Sequence, residues 1–151
     1  MQRTLVLLKP DCVQRRLVGT ILQRFEQKGL RLVAMKIVQA STELAEKHYA
    51  VHHGRHFYDS LITFLTSGPT VALVLEGREA NAVVRHLIGP TDGAKAHAGT
   101  IRGDFGLSVQ NNLIHGSDSP ESAASEIALW FRHDELIYYQ TADSHWILGS
   151  N

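Results

Sequence analysis

Residues 4–38 read TLVLLKPDCVQRRLVGTILQRFEQKGLRLVAMKIV, and this stretch decides the fold. Residues 4–9 (TLVLLK) form a short continuous apolar run ended by Pro10-Asp11, the pattern of a buried strand. Val18, Ile21, Leu22 and Phe25 then recur at helical spacing, and Gly29 follows as a C-terminal stop. Residues 30–38 alternate around Arg31, Val33, Met35 and Ile37 as a second strand. The unit is β-α-β.

Working outward, Ser41-Thr42-Glu43 starts a helix with Leu44, Ala45, His48 and Tyr49 on one face. Phe57, Leu61, Phe64 and Leu65 form a second helical stripe closed by Gly68-Pro69. Residues 70–75 (TVALVL) are a third strand, and Val83, Val84, Leu87 and Ile88 mark a helix running to Gly89. Residues 89–106 hold Gly89, Gly93, Gly99, Gly103 and Gly106 without a sustained period, so they read as a long glycine-rich loop of functional character. Leu113-Ile114 then lead into His115. Ser119 as N-cap, Pro120 and Glu121 announce a helix whose expected apolar stripe is Ala124, Ile127, Ala128 and Phe131. The tail carries Tyr138, Tyr139 and Trp146, too apolar to be left loose in water. In order the elements spell an α+β, ferredoxin-like split β-α-β arrangement: an antiparallel four-stranded sheet with helices on one face, a helical hairpin insertion and the long loop. Residues 1–151 read as one domain, with no repeat or linker.

Fifteen Lys and Arg balance fifteen Asp and Glu. A broad nucleic-acid surface needs a surplus of cations, so no specific nucleic-acid partner is expected. The single cysteine, Cys12, rules out an internal disulfide. The N-terminus lacks signal-peptide character and no apolar run approaches a bilayer's thickness, so the expectation is a cytoplasmic protein without membrane association.

Three groups of residues carry candidate chemistry, and two look-alikes do not. His115 sits where a short apolar run stops and Gly116 lets the chain turn; Glu126 lies one to two turns into the next helix. A carboxylate beside an imidazole fixes its tautomer and raises the basicity of the other nitrogen, as a nucleophilic histidine requires. Local pattern leaves open that His115 is only a strand-end histidine satisfied by its neighbours. Lys9, Arg85 and Arg102 are sequence-distant cations at element ends and loops, and with Thr91 they suit a phosphate cradle; the alternative is ordinary solvated charges. His48, His52 and His56 are spaced by four, so pairs of them would share a helical face as metal ligands, but no glutamate stands beside the first of them as on a zinc-protease helix, no cysteine ligand is present, and no metal site is assigned. Residues 89–96 (GPTDGAKA) fail as a P-loop on spacing and context, and Arg102-Gly103-Asp104 reads as a coincidental adhesion tripeptide.

The segments LLKPD, GLRLVAMK, HY followed by HFYDSL, SGPTVALVLEG, GTIRGDF, NLIHGSDS and EIALWF, in this order, resemble nucleoside diphosphate kinases. The likeness runs from about Arg3 to Trp146 with essentially no insertion, and the pairing of NxxHGSD with GTIRGDF is highly specific. It implies a ping-pong enzyme that moves the γ-phosphate of a nucleoside triphosphate, typically ATP, through a phosphohistidine to a nucleoside diphosphate, with low base specificity. His115 stands at the phosphorylated position and Glu126 at the acid behind it. Lys9, Tyr49 and Asn112 match groups around the transferring phosphate and ribose, and Arg85, Thr91 and Arg102 match contacts to the other phosphates. Phe57 matches the base-stacking aromatic, with Leu61 and Val109 as apolar neighbours, and Ser117 and Asp118 complete the histidine motif. Mg2+ would arrive with the nucleotide. A homo-oligomer is implied, with a hexamer favoured over a tetramer and the aromatic tail buried against a neighbour.

The chain departs from the resembled pattern in places. Cys12 replaces a glycine, where a need for positive φ would put strain on it. Gly93 and Ala98 replace loop prolines, which loosens the loop. His56 replaces a proline before Phe57, and Gln110 a glycine. Two rival functions are a nucleotide-binding subunit without turnover, which losses at Lys9, His115 or Glu126 would have signalled, and a nucleic-acid-binding protein, which the charge balance opposes.

Overall fold

Two apolar strands form the centre of the molecule because their side chains on both faces find cover. In the computed structural model, which describes residues 1–150, strand β1 (Gln2–Leu8) pairs antiparallel with β3 (Thr70–Gly77), from Gln2 opposite Gly77 to Leu8 opposite Val71. β2 (Arg31–Val38) pairs with the far side of β3, and β4 (Ile114–Gly116) with the far side of β1. The sheet order is β2-β3-β1-β4, all antiparallel, which is the α+β ferredoxin-like arrangement.

Helices cover both faces, not one. Val6, Leu8, Val71, Leu73 and Leu75 pack against Ile21 and Phe25 of α2 (Val18–Lys28) and Val84 and Ile88 of α5 (Ala80–Ile88). On the opposite face Leu5, Leu7, Ala72 and Val74 meet Ala45 of α3 (Thr42–His48), Leu65 of α4 (Tyr58–Thr66) and Trp130 of α7 (Pro120–Trp130). This is why TLVLL and TVALVL are unbroken apolar runs: a strand wet on one side alternates, and one buried on both sides does not. Full burial of Ile21 and of Phe25 contributes about 1.5–3 kcal/mol each.

The expected caps form. Ser41 Oγ accepts from Leu44 N, Ser119 Oγ accepts from Ser122 N, and Gly29 ends α2 at φ +97°, a conformation costly for any residue with a Cβ. Two short helices depart from the expectation. Pro10, read as a strand terminator, is the first residue of α1 (Pro10–Gln14), and α6 (Ile101–Phe105) lies inside the glycine-rich loop. α6 is nucleated by Thr100, whose hydroxyl accepts from Gly103 N. Cys12 falls within α1, outside the left-handed region, so it carries no backbone strain. Burial pushes its thiol up to about 12, with the Asp11 charge adding to the effect. At Gly93 a Cβ would stand 2.5 Å from the backbone carbon of Gly106, so the glycine lets two loop segments touch.

Of the stripe expected for α7, Phe131 is buried and Ile127 packs against the core, but the two alanines are misplaced. Ala123 and Trp130 are buried and Ile127 partly so, whereas Ala124 and Ala128 face solvent. The tail returns to β2, where a bulge near Val33 accompanies a bond from Ile137 N to the Val33 carbonyl. Arg31 lies over the rings of Tyr138 and Tyr139 at 5.1 and 5.6 Å. The expected burial of the tail aromatics is not achieved within the chain: Tyr138 is 71% exposed and Trp146, on α8 (Ser144–Leu148), 81%. Among the described residues no helix is long and apolar enough to cross a membrane.

Candidate active site

The site is assembled where the end of β1, the start of α1 and the approach to β4 meet. Leu113 sits at φ +76°, a left-handed conformation that costs a bulky residue on the order of 1–3 kcal/mol. The surroundings hold it there. Its side chain is fully buried, its N–H donates to Asp11 Oδ2 at 3.0 Å, and its carbonyl accepts from Lys9 N at 2.8 Å. The kink delivers His115 to β4 opposite Leu7.

From α7, Glu126 reaches back so that its Oε1 lies 2.6 Å from His115 Nε2 and accepts from Ser117 Oγ at 3.0 Å. Burial pushes the Glu126 carboxyl upward. The hydrogen bond to His115, the neighbouring imidazoles and the Ser117 hydroxyl outweigh it and hold the group below the usual carboxylate range. An ionised Glu126 can only accept, so a neutral His115 carries its proton on Nε2 and keeps a lone pair on Nδ1. The arrangement leaves a nucleophilic nitrogen oriented by a carboxylate.

Three cations hold the segment that carries it. Lys9 is 6% exposed; its ammonium donates to Asn112 Oδ1 and lies 5.5 Å from the centre of the Phe64 ring. Burial, reinforced by the Arg102 charge and opposed by Asp11, lowers Lys9 to about 8. Asn112 Nδ2 in turn donates to the Thr91 carbonyl at 3.0 Å. Arg102, also 6% exposed, donates to the carbonyls of Asn112, Gly89 and Ile114, stitching the loop's ends to β4. These bonds use three of its five N–H donors. Burial, then the Arg85 charge, lowers it to about 10. Arg102-Gly103-Asp104 is therefore a folded helix segment, not a displayed tripeptide. Arg85 is half-exposed, donates to the Gly116 carbonyl at 3.3 Å and pairs with Asp118 at 3.1 Å. Tyr49 is buried, and burial with the Glu126 charge raises it to about 12, so it is a neutral hydroxyl at neutral pH.

Phe57 stands just before α4 with the rings of His52 and His56 at 5.3 Å each. Leu61, one turn on, donates its N–H to the Phe57 carbonyl at 3.1 Å and packs partly into the core. Val109 is exposed on the loop. The fold thus brings Phe57 and Leu61 together at an open corner, in contrast to the side chains bonded to one another around His115.

The spacing of His48, His52 and His56 does not survive as a shared face, because α3 ends at His48 and a 3₁₀ turn over Ala50–His52 follows. His48 instead turns inward, its ring 4.6 Å from that of His115. Its Nδ1 accepts from Trp130 Nε1 at 3.1 Å. Sequence reasoning places His48 on the inward face of its helix, where it is indeed buried, and weighs it otherwise only as a metal ligand; Trp130 it sees only inside a motif. The spacing of His48 in the cluster and the lone tryptophan of α7 are the available signals. Among the described residues, His48, His115 and Glu126 bring ligand atoms within 4.8 Å of one another. An indole N–H can only donate, so His48 must keep its hydrogen on Nε2, where it is a donor and not a metal ligand.

A carboxylate-backed histidine on a strand flanked by the cations Lys9, Arg85 and Arg102, on a ferredoxin-like α+β frame, defines an enzyme site suited to transfer of an anionic group. Residues 2–136 match the nucleoside diphosphate kinase family, and the chain belongs to that family, whose members are phosphotransferases. It is 53% identical over 149 residues to the nucleoside diphosphate kinase of Thermomicrobium roseum, covering 99% of this chain and 100% of that one. The corresponding enzyme of Archaeoglobus fulgidus is 52% identical over 147 residues, 97% of each chain. Among solved structures, the Halobacterium salinarum nucleoside diphosphate kinase in complex with CDP superposes with a TM-score of 0.95 at 47% identity, covering 97% of each chain. A Babesia bovis family member superposes at 0.94 and 42% identity, covering 97% of this chain and 99% of that one.

Proposed function

We propose that the enzyme moves the γ-phosphate of a nucleoside triphosphate, typically ATP, onto His115 Nδ1 and then to a nucleoside diphosphate, in a ping-pong cycle. The observation that carries this reading is the 2.6 Å contact between His115 Nε2 and Glu126, which leaves Nδ1 free, with the buried cations Lys9 and Arg102 bonded to Asn112 and to the carbonyls of Asn112 and Ile114 on the segment leading to it. The Nδ1 lone pair forms the new bond to the γ-phosphorus. The bond from that phosphorus to the bridging oxygen breaks, and its electron pair leaves with the nucleoside diphosphate. The imidazole ring gains positive charge, which Glu126 balances. A second diphosphate reverses these steps. Charge in the transition state spreads over phosphoryl oxygens, so positioning and electrostatics dominate the catalysis.

Lys9 suits the transferring phosphate, and the two remaining N–H donors of Arg102, with Arg85 and Thr91, suit the other phosphates. Asn112 and Tyr49 complete the phosphate and ribose contacts. Phe57, flanked by Leu61 and Val109, offers a stacking face to any base, hence low base specificity. Mg2+, held by the nucleotide's own phosphates, would supply further charge neutralisation. Glu126 is engaged by His115 and Asp118 by Arg85, which favours a metal carried on the ligand over a protein cage. The exposed Tyr138 and Trp146 suit a homo-oligomer, hexamer before tetramer, and the enzyme is read as cytoplasmic.

Incubation with γ-labelled ATP and magnesium, without acceptor, tests the reading. Label that survives alkali, is lost in acid and passes to added GDP is the expected result. Folded protein that takes up no label would overturn it.

Lys9 also makes two pH-dependent quantities move in opposite directions. As pH rises through about 8 the free enzyme loses this charge, so kcat/KM for the triphosphate should fall. In the unfolded chain Lys9 keeps its proton to about 10.4. Between these values the unfolded state binds more protons, so this residue's contribution to stability rises with pH, by roughly 3 kcal/mol in all. Denaturant unfolding of wild type against Lys9→Met at pH 7 and pH 10 isolates that gain; an unchanged difference would refute it.

A further inference from the structure

His48 is buried, outside the motif around His115, and unused by the transfer chemistry described above. Its ring stands edge to face with His115 at 84° and with Trp130 at 83°, between the two. The Trp130 indole can only donate, so the 3.1 Å bond fixes His48 Nδ1 as acceptor. Trp130 is itself locked, 3% exposed at the C-terminal end of α7, the helix that also carries Glu126.

We infer that Trp130 and His48 are a positioning pair behind His115: Trp130 locks the His48 ring in one tautomer, and that ring holds the His115 imidazole at the angle where Glu126 takes Nε2 and Nδ1 stays free. The inference rests on the phosphohistidine reading. The physical need is plain. One hydrogen bond to Glu126 pins a single atom of the His115 ring and leaves its plane free to tilt. A second support against the ring removes that freedom, and near-attack geometry depends on it.

His48 is also held uncharged by its surroundings. Burial foremost, with the His115, Lys9 and His52 charges acting the same way against Glu126, lowers its pKa to about 3. The groups facing it are His115 on β4, Glu126 and Trp130 on α7, Lys9 after β1, and Tyr49 and His52 following α3. Protonation at Nδ1 would require breaking the Trp130 bond. A cation at that place would oppose the positive charge that develops on His115 during transfer.

The test uses Trp130→Phe, His48→Phe and His48→Gln in the full chain, with folding checked by thermal melting. Long-range proton–nitrogen correlation spectra of 15N-labelled wild type should show one histidine, absent from His48→Gln, held as the Nε2–H tautomer from pH 6 to 8. In Trp130→Phe that histidine should show mixed tautomers. Single-turnover labelling from γ-labelled ATP should slow roughly tenfold in Trp130→Phe and His48→Phe, with nucleotide KM within about twofold. A folded His48→Phe or Trp130→Phe that labels at the wild-type rate overturns the inference, as does a wild-type His48 with its hydrogen on Nδ1. Absence of label in the wild type itself would remove the transfer reading and the pair's role together, while the spectra still report the tautomer.

Discussion

Replacing His115 with alanine is expected to abolish phosphate transfer, by 10⁴-fold or more, while leaving the protein folded and able to bind nucleotide. The side chain is 22% exposed, and its backbone pairing with Leu7 does not depend on the imidazole, so the stability cost is small. Lys9, Arg85 and Arg102 hold their bonds to backbone and Asn112 without it, so phosphate affinity should persist. No other histidine is placed to substitute. His48 is closest, but its Nδ1 is occupied by Trp130 and its remaining nitrogen bears hydrogen. The readouts are acid-labile label after γ-labelled ATP, and nucleotide binding by calorimetry. Transfer above about 1% of the wild-type rate would refute the assignment. Tight binding with no label in wild type or variant would favour a nucleotide-binding subunit without turnover.

How much of this is legible in the sequence depends on whether the determining contacts are local. β1 and β3 can be read because an apolar run too short for a buried helix, bounded by Pro or Gly, fits a buried strand. The same runs argue for cover on both faces, so a sheet covered on one face is the wrong conclusion to draw from them. Helices α1 and α6 have five residues each, too short for a period to show, and Pro10 stops a strand and starts a helix with one ring. In α7 Ile127 and Phe131 face the core as the stripe requires, but which alanine sits beside them, Ala123 and not Ala124, is a choice between small residues on adjacent faces that only packing makes. At the site, His115 and Glu126 are eleven residues apart on a strand and the next helix, close enough for pattern to pair them. Arg102 gripping three carbonyls, and Trp130 reaching 82 residues back to His48, are tertiary contacts that no local spacing encodes.

Glu126 provides the sharper test of how His115 works. Glu126→Gln should slow phosphorylation of His115 by about 10²–10³-fold, and at least as much as Glu126→Ala. With the amide oxygen toward Nε2, the hydrogen bond survives but the negative charge that balances the phosphorylated ring is gone. With the amide nitrogen there, an N–H meets Nε2 and drives the imidazole's hydrogen to Nδ1, the atom that must attack. Ser117 does not decide between them, since its hydroxyl can donate to the oxygen or accept from the nitrogen. Alanine also loses the charge, but it leaves space for water and imposes no tautomer. Rapid-quench labelling of both variants measures the step directly. A Glu126→Gln enzyme within about threefold of wild type would mean that the 2.6 Å contact is packing, and that His115 is oriented by something else.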